Sequence, residues 1–259
     1  MNGAPWHGAT LLCHTADSAV KNAPKLSSGS KHEPVTLQHL QALHRSLDLS
    51  NAFDAAVLVV TCIAFWCCCQ LGELVIDIKF EPSCHIVGSA IITHGTASNS
   101  IHFANFHLPN TKMKGTKGDD VNILDSTFLC SAYSALNHHL LANSQVPPEA
   151  PLFMFKMVDG SWAPMKRKWF LQRCNKVWEC GELGSRKGHR FKIGSTTHLL
   201  FLGVNPWVTM VQGQWSSQAF LGYWSQCEEI LPLLMGFHLQ EHTSILTTMS
   251  SLKSKLLGF

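Results

Sequence analysis

Gly188-His189-Arg190-Phe191-Lys192, then Trp215, then Tyr223: no other part of the chain constrains its reading as much. Lys192 follows His189 by 3 positions, Trp215 follows Lys192 by 23, and Tyr223 follows Trp215 by 8. A lone histidine is ordinarily a surface residue or a satisfied core residue. His189 stands out from the 15 histidines only because a cation, an indole and a phenol fall behind it in this order. Tyr223 sits beside Trp224 and could be a core aromatic. The chain has only 2 tyrosines, and the other, Tyr133, reads as packing on an apolar helix face. Arg190 lies two residues before Lys192, so on a helix it points about 200° away around the axis and replaces Lys192 only after a register shift.

Outside this stretch the composition is that of an ordinary folded chain. At 259 residues, 46% hydrophobic and 14% charged, it can bury a sizeable core. A formal charge of +3 permits contact with a phosphate backbone without demanding it. The 10 cysteines include no Cys-x-x-Cys pair, which argues against a zinc site, and Cys67-Cys68-Cys69 suits reduced, buried thiols. No basic and apolar leader opens the chain, so the expectation is a nuclear or intracellular protein that is not secreted. The apolar run from Ala55 to Cys69 is short of the roughly twenty residues that span a bilayer, and it reads as a core helix with no membrane role. P-loop, Gly-x-Ser-x-Gly and dinucleotide signatures are absent. Glu228-Glu229, Asp125 and Asp119-Asp120 have no spacing that pairs them as a carboxylate dyad.

Residues 1–33 carry no clear period and end in a Ser/Gly-rich stretch. Thr36 reads as the cap of a helix marked by Leu37, Leu40, Leu43 and Leu47. After the long apolar helix, Leu74 to Phe80, Ile86 to Ile92 and Ser100 to Leu108 read as strands. Val121 to Leu124 reads as a return strand beyond a turn carrying Lys112, Lys114 and Lys117. Helices are expected at Leu129 to Leu141, Met165 to Cys180, His189 to Leu202, Pro206 to Gln212 and Ser216 to Cys227, with a last one in Thr243 to Leu257. His138-His139 reads as a solvated helix face, and Lys166-Arg167-Lys168 as a basic helix start. The fold class is therefore α+β, mostly helical, with helices around a small antiparallel three-stranded sheet.

The order and spacing of Lys112, His189, Lys192, Trp215 and Tyr223 resemble the catalytic domain of the tyrosine recombinases, the phage-integrase family. Gln70-Leu71-Gly72-Glu73-Leu74 and Leu108-Pro109-Asn110-Thr111-Lys112 resemble the integrase-like genes of fungal mobile elements in particular. The resemblance covers roughly Pro34 to Leu234. It implies an integrase-like catalytic domain over 34–235, a linker or remnant of a core-binding domain over 1–33, and a tail over 236–259.

In that family a tyrosine attacks a DNA phosphodiester to give a 3′-phosphotyrosine, and no cofactor or metal takes part. The resemblance assigns Tyr223 as nucleophile, Lys112 as the hairpin acid in preference to Lys114 or Lys117, His189 as the proton-handling residue and Trp215 as the residue packed beside the phosphate. The family's two arginines are replaced here by Gln70, which has no charge, and Lys192, which has no bidentate fork. The implied partner is double-stranded DNA, bound weakly because half of the family's clamp is missing, with room for a homo-oligomer on DNA. The expected function is DNA recombination with weak or absent cleavage. The alternative is a non-catalytic module that reuses the fold for DNA tethering or protein contact.

Overall fold

The core is organised around a helix that is apolar on every side. The computed structural model describes residues 33–215, and in it Ala52–Trp66 (α2) buries twelve consecutive residues, Asp54 to Phe65. Asn51 caps it, its side chain accepting from the backbone N–H groups of Phe53 and Asp54. A helix apolar all round must be enclosed. Those that enclose α2 are Leu37–Ser46 (α1), Ala132–Ala142 (α4), Arg167–Cys180 (α5) and His189–Phe201 (α6), with the short helix Leu71–Leu74 (α3) after it. The one acid in its buried run, Asp54, accepts from Nε and Nη2 of Arg173, at 2.8 and 2.7 Å. No helix among the described residues is long and apolar enough to cross a membrane.

The sheet is three-stranded and antiparallel, in the order Thr93–Thr96 (β1), His102–Leu108 (β2), Asp119–Leu124 (β3). Ala104, Phe106 and Leu108 of β2 alternate inward and pair with Ile123, Val121 and Asp119 of β3, so the apolar side faces α4. A second hairpin, Met154–Lys156 (β4) with Trp162–Pro164 (β5), was not expected from the sequence. The last helix described is Pro206–Gln212 (α7), with Pro206 at its first turn and Asn205 as its cap.

Two expected strands are not strands. Leu74 closes α3, and beyond it Ile76 makes a single parallel bridge to Lys166 while Ile78 is almost wholly exposed. The segment from Ile86 to Ile92 gives its backbone to a loop: Leu152 donates to Ile86, Gly88 to Ala150 and Ser89 to Pro148. The first strand of the sheet begins after it, at Thr93. The reading of His138-His139 as a solvated face also fails for His139, which is 1% exposed. The expected helices at Ser216 to Cys227 and Thr243 to Leu257 lie outside the described residues.

Candidate active site

Glu73 is the carboxylate around which the candidate residues gather. It lies in α3, and its side chain accepts from the backbone N–H of Gln70 at 2.7 Å, which ties down the helix start. The backbone N–H of Lys112 and the Lys192 ammonium both lie close enough to favour its charged form. Burial raises its pKa; those two N–H groups and Lys192 oppose the shift, and Asp119 adds to it. One buried carboxylate thus joins the stretch after α2, the β2–β3 hairpin and α6.

Gln70 is half-buried and caps α3. Lys112 is exposed in the hairpin tip, just beyond Thr111, which is 2% exposed and exchanges backbone hydrogen bonds with Gly115 at 3.2 and 2.8 Å. Lys114 shares the tip and is paired with Asp119 at 2.7 Å, whereas no ion pair of Lys112 is found among the described residues.

His189 opens α6 as an exposed residue. Partial burial lowers its pKa, and the positive charges of Arg190, Lys112 and Lys192 lower it further, so the neutral imidazole is favoured. Lys192 lies one turn further on and is 4% exposed. Its pKa is lowered by burial and by Lys112, against the pull of Glu73, Cys68 and Cys69. Its ammonium donates to the Gly213 carbonyl at 2.8 Å and stands 4.4 Å from the centroid of the Trp215 ring. Trp215 is buried on Cys68, with Leu199 and Met210 packed around it.

The wall behind these groups is made of thiols and hydroxyls. Cys68 has a left-handed backbone (φ 53°) and its Sγ lies 2.7 Å from Ser195 Oγ. The Ser195 hydroxyl donates to the Phe65 carbonyl at the end of α2. Burial pushes the Cys68 thiol up to about 11 despite Lys192, so it is a packing group and not a nucleophile at neutral pH. Among the described residues no three His, Cys, Asp or Glu side chains could hold a metal ion.

Five of the six candidates, Gln70, Lys112, His189, Lys192 and Trp215, therefore fall in one neighbourhood although they come from four separate stretches. Tyr223 lies outside the described residues. Glu73 was quoted in the Gln-Leu-Gly-Glu-Leu segment without a role; its position as third residue of a helix with a capping pattern was the available signal. Chemically the cluster offers an exposed Lys112 side chain near the His189 imidazole, together with the Lys192 ammonium, whose contacts lie inside the protein.

No family model and no curated protein matches the sequence. Solved structures do. The XerH site-specific recombinase bound to palindromic difH substrate, in a post-cleavage complex, is similar at 16% identity and a TM-score of 0.50, over 85% of this chain and 55% of that one. The pre-cleavage XerH complex with difH gives 15% and 0.47, over 92% and 63%, and the Flpe–Holliday junction complex gives 13% and 0.46, over 84% and 54%. The chain spans little more than half the length of the first of these. At such identities the likeness is one of fold: mostly helical, with a small antiparallel three-stranded sheet, as in the tyrosine recombinase catalytic domain.

Proposed function

We propose that this chain is a DNA-binding protein of the tyrosine recombinase type whose strand cleavage through a 3′-phosphotyrosine is slow or absent. The observation that carries this reading is the gathering of Gln70, Lys112 and Lys192 at Glu73, with His189 within electrostatic reach of both lysines, on a recombinase-like fold. In this reading Tyr223 attacks the phosphodiester, Lys112 gives its proton to the leaving 5′ oxygen, His189 handles the proton of the phenol, and Trp215 packs beside the phosphate. Residues 34–235 form the catalytic-domain-like unit, 1–33 a linker or remnant, and 236–259 a tail. The origin in a fungal mobile element and action on nuclear DNA belong to the same proposal.

Weak cleavage follows from the phosphate-gripping positions. A pentavalent transition state gains negative charge that needs preorganised donors, and losing one such donor costs about 2.7–4 kcal/mol, or ~10²–10³ in rate. Gln70 supplies no charge. Lys192 keeps a charge but directs it at Gly213 and Trp215.

The test is incubation of the full chain with nicked duplex suicide substrates, scored for covalent protein–DNA adducts, alongside duplex binding at low and moderate salt. The expected result is salt-sensitive binding with few or no adducts. Rapid adduct formation that disappears in Tyr223→Phe overturns the claim of weak cleavage. Absence of duplex binding at low salt overturns the DNA assignment and leaves the protein-interaction module.

A further inference from the structure

We infer that Lys192 is a positioning residue that staples the turn after α7 to α6 and holds the Trp215 ring in place over that turn. The inference goes beyond the functional reading above and stands whether or not the chain cleaves DNA. In the resemblance, this position belongs to a group that grips phosphate. The contacts of Lys192 point elsewhere.

The turn itself has an unusual construction. Helix α7 ends with Gly213 donating to Thr209 at 2.9 Å, Gln214 to Val211 at 3.0 Å and Trp215 to Met210 at 3.1 Å. Gln214 has φ 58°, so the chain reverses through a left-handed residue in the manner of a Schellman cap. Such a position usually belongs to glycine, and a side chain there carries a steric cost of roughly 1–2 kcal/mol. The turn therefore needs support from outside the helix.

Lys192 gives that support in two ways. Its ammonium takes the buried Gly213 carbonyl, to which no backbone N–H among the described residues donates, and a buried carbonyl must be paired. It also stands over the Trp215 ring, whose face attracts a cation. The ring is folded back over Gly213 so closely that a Cβ at 213 would collide with it. Lysine, ring and glycine form one packed unit, held behind by Glu73 on the charged side and Cys68 on the apolar side. The ammonium of a lysine that is 4% exposed cannot hold these partners and a DNA phosphate at the same time.

The experiment compares the wild-type chain with Lys192→Met and Lys192→Arg. Backbone amide exchange at residues 213–215 should quicken about tenfold in Lys192→Met, as expected for loss of one charge-assisted hydrogen bond, while protection within α2 is kept. Lys192→Arg, whose guanidinium can both donate to Gly213 and stack on Trp215, should restore slow exchange. The slope of log binding constant against log salt for duplex DNA should be the same in all three proteins. A slope reduced by about one unit in Lys192→Met, with unchanged exchange at 213–215, identifies a phosphate contact and overturns the inference. If Lys192→Met does not fold, reductive dimethylation of the native wild-type chain decides. Lys192 should remain unmodified while Lys112 is labelled, and labelling of both at similar rates overturns the staple.

Discussion

His139 lies on the inner face of α4 with both ring nitrogens engaged, Nε2 with the Leu152 carbonyl at 3.1 Å and Nδ1 with the Asn143 amide at 3.1 Å. The carbonyl can only accept, so the ring carries its proton on Nε2 and receives a hydrogen bond from Asn143 at Nδ1. A second proton would meet the Asn143 donor in a dry site, and burial pulls the His139 pKa down to about 4. The unfolded ring titrates near 6.5, so between these values the unfolded chain binds the extra proton and the folded chain does not. Stability is therefore full above about pH 6.5 and falls as pH drops toward 4, by up to about 3 kcal/mol from this residue. In urea unfolding, wild type should lose roughly 2 kcal/mol more than His139→Gln between pH 7 and pH 5. His189 and His198, also lowered by burial, are common to both proteins and cancel. Equal pH slopes in the two proteins would remove His139 as the sensor. The residue scale is also where the sequence was most informative about the site and least informative about its support. Spacing singled out His189, Lys192 and Trp215, and the resemblance added Gln70 and Lys112. Glu73 and His139 acquire meaning only through contacts far along the chain, with Lys112 and Lys192 in one case and Leu152 in the other, and no local pattern encodes those.

The β2–β3 hairpin carries Lys112, and two glycines shape it for different reasons. Gly115 has φ +56° and open space where a Cβ would stand. Gly118 has φ +63°, and a Cβ there would collide with the Leu108 carbonyl oxygen and crowd the His107 ring. Both Gly→Ala changes incur the left-handed backbone cost of about 1–2 kcal/mol. Only Gly118→Ala adds a backbone collision that separates the ends of β2 and β3. Thermal melts should therefore rank Gly118→Ala clearly below Gly115→Ala, and hydrogen exchange should show the extra loss at Asp119 to Val121. Equal melting temperatures would mean that the close approach at Leu108 relaxes freely. Helices were readable at this scale because a 3.6-residue period in leucines and a cap such as Thr36 act locally. Strands were less so. The edge strand β1, Thr-His-Gly-Thr, has no apolar alternation of its own; it exists because β2 offers a register and the Phe103 ring lies across Gly95. The apolar residues of 74–80 and 86–92 looked like strands because periodicity cannot distinguish a strand from an extended segment that pairs with a loop.

For the whole molecule the relevant balance is charge against phosphate. A net charge of +3 on 259 residues gives a weak general attraction to DNA, so the binding proposed above rests on a few local cations. In the hairpin, Lys114 is neutralised by Asp119 at 2.7 Å, whereas Lys112 and Lys117 are exposed. Each lysine that displaces a counterion from duplex DNA contributes about 0.9 to the slope of log binding constant against log salt. Lys112→Gln and Lys117→Gln should each flatten that slope by about one unit and weaken binding alike on unrelated sequences, since phosphate contacts carry no sequence information. Lys192→Met should leave the slope unchanged, because its charge is directed inward at Gly213. The measurement is a salt series on short duplexes of two different sequences, followed by fluorescence anisotropy. Loss of slope in neither hairpin variant would place the DNA surface elsewhere on the molecule and detach Lys112 from the role that its position in the hairpin gives it.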